Sequence, residues 1–164
     1  MKPETTARDK IVQLTAFCVG AEEYVVDILR IREIIRPLPI TPLRKGPKYV
    51  KGVISLRGSV IPIIDLRHRF GLPETVSKRC RMMIMSIDGR VLGLIVDSVN
   101  EVVRVPRGEI RAARGILEGE QAPYFMGVVH REDRMLILLN MRSIVGSDEE
   151  IVPPTSGDIS AGAF

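Results

Sequence analysis

The chain has 164 residues, 45% hydrophobic and 27% charged, with a formal net charge of +4. This composition excludes a disordered chain and allows one ordinary domain or two small ones. Apolar runs stay far short of the ~20 residues that cross a bilayer, and Met1–Lys10 lacks the apolar stretch of a signal peptide, so a cytoplasmic protein without direct membrane insertion is expected.

Aromatics make up 4% and Trp is absent, so the core must be built from Ile, Val, Leu and Met. Residues 1–10 read as a flexible N-terminal tail. Ile11–Val19 reads as a strand, Gly20–Glu23 as a turn and Tyr24–Ile28 as a second strand. Ile28–Ile35 fits a short helix as well as an irregular strand, because periodicity alone does not separate them over so few residues. Pro37, Pro39 and Pro42 then force an extended connection.

Lys51–Phe70 (KGVISLRGSVIPIIDLRHRF) is the densest apolar stretch. Its β-branched residues suit a buried pleated surface, and Arg57-Gly58-Ser59 breaks it into a β-hairpin. Pro62 has no N–H to give, which predicts an edge strand or a proline facing outward. Asp65-Leu66-Arg67 closes the second strand with charge. Gly58, Pro62 and Asp65 are therefore assigned to the structure of the hairpin, and the isolated cation Arg57 at its tip stands out.

Polar Gly71–Arg79 is the best candidate boundary. Beyond it, Arg81–Ile87 and Val91–Val96 flank the turn signal Asp88-Gly89, and Glu101–Val105 makes a third strand. Gly108–Pro123 is polar. Tyr124–His130 and Met135–Asn140 form another hairpin around Arg131–Arg134, whose charges read as a solvated turn. Residues 147–164 read as a disordered C-terminal tail.

The halves resemble each other. Tyr49–Arg67 laid over Tyr124–Arg142 matches Tyr49 with Tyr124, Gly52 with Gly127, Val53 with Val128 and Arg67 with Arg142. Gly20–Arg36 over Asp88–Arg104 pairs Glu33 with Glu101. The expected fold is all-β: two tandem five-stranded β-barrels packed side by side, about 11–70 and about 80–146, with short helical connections and disordered tails.

The residues offer no catalytic pattern. Phosphate-binding glycine loops and a G-x-S-x-G elbow are missing, and Asp27, Asp65 and Asp97 read as turn or cap acids. Cys18 and Cys80 read as small reduced core residues, and His68 and His130 as surface or loop residues, so no metal or cofactor is expected. Arg104, Arg107, Arg111 and Arg114 are interrupted by Pro, Gly and Glu without interleaved aromatics, which argues against a nucleic-acid surface. A binding module fits better. Glu33 lies among Ile31, Ile34 and Ile35, and Arg57 on an apolar hairpin. Residue types leave open whether the two pair or are unrelated surface charges.

Glu22–Ile35, Tyr49–Phe70, Gly93–Val102 and Asp133–Met141 together resemble the CheW family of bacterial chemotaxis coupling proteins, with V-K-G-V-x-x-L-R-G-x-V-I-P-x-x-D-L-R as the most specific pattern. The pattern also occurs in the regulatory domain of the CheA histidine kinase and in CheV. The resemblance runs through most of residues 11–146. It implies SH3-like barrels, no catalysis, and an adaptor that bridges chemoreceptor cytoplasmic hairpin tips to the regulatory domain of a CheA-type histidine kinase at membrane-associated receptor arrays. It implies a receptor-binding groove at Ile31, Glu33, Gly52 and Arg57, with Val53 and Leu56 as neighbours. The lack of phosphotransfer, ATP-binding or receiver sequence suggests a stand-alone adaptor. An adaptor of a non-flagellar pathway (twitching or developmental signalling) is the alternative, followed by a small-molecule-binding barrel.

Overall fold

The computed structural model describes residues 7–73, 75, 77–113, 119 and 122–146. The first-half strands are β1 Ile11–Val19, β2 Glu22–Asp27, β3 Ile31–Ile35, β4 Val50–Leu56 and β5 Ser59–Asp65. After them come β6 Arg81–Ile87, β7 Arg90–Val96, β8 Ser98–Pro106, β9 Arg111–Ala112, β10 Phe125–Arg131 and β11 Arg134–Leu139. Short helices α1 (Leu66–Arg69) and α2 (Met141–Val145) follow β5 and β11. Their caps match the sequence: Asp65 accepts from the Arg67 amide at 3.0 Å, and Asn140 from that of Ser143. The ambiguous Ile28–Ile35 resolves into both alternatives. Asp27 accepts from the Leu29 amide at 2.9 Å and starts a 3₁₀ turn, Ile28–Arg30, which runs into β3.

The strands form two sheets, ordered β8-β1-β2-β11-β10-β9 and β3-β6-β7-β5-β4. The all-β expectation stands, but the division near residues 70–80 does not match this pairing. β1 and β2 belong to the sheet of the second half, and β6 and β7 to that of the first. The cause is the pair of parallel contacts β5–β7 and β2–β11, which join strands distant in sequence.

The duplication survives this exchange and governs the registers. Glu33 pairs with Ile84 in β3–β6, and Glu101 with Ala16 in β8–β1. Ile63 pairs with Gly93, and its counterpart Leu138 with Val25. Register shifts fall at Val50/Gly52 and at Phe125/Gly127, the same place in each hairpin.

Alternation explains the long apolar runs. Met82 and Ile84 of β6 face one cluster with Ile54, Ile61 and Ile63, while Met83, Met85 and Ile87 face another. Leu14 and Ala16 of β1 likewise join Val25, Val129 and Leu136, while Phe17 and Val19 face away. Each sheet thus has its own cluster, and a larger shared one lies between them. Strands buried on both faces have no polar side, hence RMMIMSI. Tyr24, Phe70 and Phe125 meet in that shared core, with Arg69 lying 3.8 Å over the Tyr49 ring.

Other expectations are corrected locally. β5 is not an edge strand: β4 and β7 flank it, and Pro62 is buried. The proline is tolerated because pairing with β7 runs only from Ile63 to Asp65. Within the expected N-terminal tail, Ala7–Asp9 forms a 3₁₀ turn, and the Lys10 carbonyl accepts from the Arg107 amide at 2.8 Å. Residues 1–6 and the expected tail 147–164 lie outside the described residues. Cys18 and Cys80 are free but only half-buried. Among the described residues no helix is long and apolar enough to cross a membrane.

Candidate functional site

The β4–β5 turn places Arg57 in a conformation that side chains avoid. Its φ is 48° and that of Gly58 is 81°, nearly the angles of Asp88 (50°) and Gly89 (81°) in the β6–β7 turn. Asp and Asn tolerate the left-handed region in such turns; a long side chain like Arg has no local hydrogen bond to offset the strain. The strain aims Arg57 back over β3. Its Nη1 donates to both carboxylate oxygens of Glu33, at 2.7 and 3.0 Å. The pair foreseen as one of two readings therefore forms. It is an exposed pair, with 72% of the Arg57 side chain and 29% of the Glu33 side chain accessible, so it contributes little to stability. The hydrogen bond to Glu33, aided by its charge, pushes the Arg57 guanidinium pKa up.

The pair stands at the rim of a concavity of about 530 Å³. Ile61, Ile84 and Leu92 supply an apolar floor, and Arg32, Arg57 and Arg90 line it beside Glu33. Floor and rim come from both halves of the sequence, because β6 and β7 lie in the sheet of β3–β5.

The sequence-predicted residues divide into two groups. Glu33, Leu56 and Arg57 come together at this concavity, and Pro62 lines it too. Ile31, Gly52 and Val53 do not line it. Ile31 is half-buried against the shared core. Val53 is 1% exposed and exchanges two 2.8 Å backbone hydrogen bonds with Thr41. Gly52 is buried, with φ at 155°, and a Cβ there would sit 2.2 Å from the Thr41 carbonyl oxygen. It is a glycine of close backbone approach rather than of surface contact. Gly58 forms the turn, and buried Asp65 caps α1 with Lys51 3.9 Å away. The sequence reading missed Arg32, which neighbours Glu33 on β3, and Ile84, Arg90, Val91 and Leu92; no local motif marks the latter four, since strand order alone brings β6 and β7 here.

Asp27 and Asp97 are turn and strand-end acids with partners, as read. Asp97 accepts from the Gly20 amide at 2.7 Å and takes two bonds from Arg67, at 2.8 and 2.5 Å. The second hairpin corrects the picture of a merely solvated turn. Arg131 pairs with Glu109 at 2.6 Å, and Arg134 bridges Glu23 and Glu101, each at 2.6 Å. Those two carboxylates, through hydrogen bonds and charge, raise the Arg134 pKa. A second depression, of about 490 Å³ and lined by Val12, Leu14, Met126 and Leu138 among others, shares no residue with the first. Among the described residues no three of His, Cys, Asp and Glu are grouped to hold a metal ion.

Known proteins resemble the chain over nearly its whole length. The family model described as CheW-like domain matches residues 13–149. "Chemotaxis protein CheW" of Rhizobium meliloti is 36% identical over 138 residues, covering 84% of this chain and 89% of that protein. The crystal structure of the scaffolding protein TtCheW from Thermoanaerobacter tengcongensis superposes with a TM-score of 0.79 at 28% identity, covering 87% of this chain and 99% of that one. "Protein PilI" of Pseudomonas aeruginosa is more distant, 29% identical over 122 residues, covering 74% of this chain and 68% of that protein.

Proposed function

The chain belongs to the CheW-like domain family, and on that premise we propose that it is a cytoplasmic chemotaxis adaptor. It couples the hairpin tips of chemoreceptors to the regulatory domain of a CheA-type histidine kinase, as a scaffold and not a catalyst. The observation that carries this reading is the strained, exposed Arg57 clamped to Glu33 at the rim of an apolar concavity. The left-handed turn itself recurs at Asp88 (50°) and at the duplicate position Glu132 (54°), as two-residue hairpins require; what sets Arg57 apart is its exposed pair with Glu33 beside the concavity, which is worth little to stability. The receptor contact is at Glu33, Leu56 and Arg57; Gly52 and Val53 act beneath it by holding β4 against Thr41. Recruitment to receptor arrays follows from that contact.

Reconstitution with a receptor-tip fragment and the kinase tests the reading. The protein raises receptor control of kinase activity, and Arg57→Glu, which meets Glu33 with like charge, weakens receptor capture while leaving a folded protein. Unchanged kinase activity on adding the parent protein overturns the adaptor reading, and unchanged capture by Arg57→Glu overturns the placement of the contact. The likeness to PilI favours a second reading, an adaptor of the same kind in a non-flagellar pathway. Gene neighbourhood separates the two.

A further inference from the structure

The chain leaves both short helices by the same turn. Gly71 follows α1 and Gly146 follows α2, spaced as Tyr49 and Tyr124 are, and their φ angles are 71° and 72°. In the first half this turn brings the chain back over its own helix. The Leu72 amide donates to the Arg67 carbonyl at 2.8 Å, and Arg67 Nη1 donates to the Pro73 carbonyl at 3.0 Å. Leu72 packs on the shared core, and the chain runs on to Cys80 and β6. In the duplicate registers Arg67 corresponds to Arg142 and Cys80 to Val12. Arg142 and Val12 both line the depression of about 490 Å³. The first half thus covers, with its own following chain, the place that the described residues of the second half leave open.

We propose that residues 147–152 of this chain fill that depression in cis. Beyond Gly146, S-D-E-E-I-V lies over the L-P-E-T-V-S beyond Gly71, with Glu149 on Glu74 and Ile151 on Val76. The depression suits such a segment. Leu14, Val26 and Leu139 give it a buried floor, and Met126 stands 52% exposed beside them. Arg30, Arg107 and Arg142 line it against one acid, Asp27, which already accepts from the Leu29 amide. Asp148 corresponds to Pro73, the residue that Arg67 holds, so Asp148–Glu150 meet the arginines. Arg142 pairs with Asp88 at 3.0 Å, yet 71% of its side chain stays exposed to a second acid. Ile151 and Val152 then lie on the floor, where burial releases water from both surfaces. The reach suffices: α2 is only ~7.5 Å long, and the step from Gly146 to Ile151 spans up to ~17 Å. A partner of this face must displace the segment, so the site carries its own competitor.

Methionine-methyl NMR of the full chain tests this, with the Met126 signal assigned by Met126→Leu. Ile151→Asp with Val152→Asp moves the Met126 signal and leaves the melting curve at the parent value. A synthetic peptide of residues 147–164, added to that variant, returns the signal at about millimolar concentration, the effective concentration a short tether supplies. Arg107→Glu in the same variant weakens the peptide by about 5-fold, the scale of an exposed ion pair. A Met126 signal unmoved by the two aspartates overturns the seat. A peptide whose affinity ignores Arg107→Glu overturns the placing of the acids on the arginine rim. A parent signal that moves on dilution overturns the cis arrangement, since the occupant then belongs to a second copy.

Discussion

Gly52→Ala separates a contact role from a packing role. The new Cβ would lie 2.2 Å from the Thr41 carbonyl oxygen, 2.8 Å from its carbon and 2.7 Å from Cγ2 of Ile40. Thr41 cannot retreat cheaply, because two 2.8 Å hydrogen bonds pin it to Val53. Overpacking of this kind costs ~1–3 kcal/mol, and a backbone conformation reserved for glycine adds ~1–3 kcal/mol. The sum, about 2–6 kcal/mol, is a large part of the ~5–15 kcal/mol that holds a domain together. At ~2–4 °C per kcal/mol for a chain of this size, Tm falls by about 4–24 °C in a circular-dichroism melt. Gly58→Ala is the control: it meets nothing within 4 Å, so only its φ of 81° opposes it, and it loses ~1 kcal/mol. Receptor binding by Gly52→Ala, measured well below its Tm, recovers toward the parent value. A variant that melts with the parent yet fails to bind refutes the packing role and returns Gly52 to the contact surface.

Two further outcomes follow from the ion pairs. Asp97→Ala strands Arg67, in a pair whose side chains are only 15% (Arg67) and 19% (Asp97) exposed, and frees the Gly20 amide; it costs ~2–3 kcal/mol, below the ~3–5 of a fully buried pair, read by urea unfolding. Glu23 is held below its ordinary value of 4.5, chiefly by the Arg134 hydrogen bond, with burial opposing. A depressed carboxylate stabilises above its unfolded pKa and loses that contribution as pH falls through its folded one, so the parent loses stability on acidification below about pH 4.5 and Glu23→Gln flattens that part of the curve. Equal acid slopes in parent and variant count against the linkage.

The elements were legible wherever local pattern decides. β1 and β6 carry the bounds read from their apolar runs, and the Glu33–Arg57 meeting was one of two readings left open. The duplication was legible too, because each half repeats the same registers. What the sequence hid was non-local. Parallel pairing of β5 with β7 puts Ile84, Val91 and Leu92 beneath Arg57, and no spacing in the chain announces it. Gly52 was misplaced for a related reason: a glycine within a strand marks either a ligand's approach or another backbone's, and only Thr41, eleven positions away, decides between them.

The exchange of strands has a consequence for how the protein holds together. A cut in residues 74–76 would divide the chain where composition suggests a boundary. Yet β1 and β2 pair with β8 and β11, and β3 and β5 with β6 and β7, so each fragment would carry strands whose partners lie on the other. The shared core would be divided as well, with Phe17, Tyr24 and Leu66 on one side and Met83, Leu94 and Ile137 on the other. Fragments 1–73 and 77–164 are therefore expected to be unfolded alone and to regain sheet structure when mixed, with circular dichroism and size-exclusion chromatography as the readouts. A fragment that folds by itself would contradict the pairing. Receptor binding should return only with the mixture, because Arg57 and Glu33 lie on one fragment and the Ile84–Leu92 floor beneath them on the other.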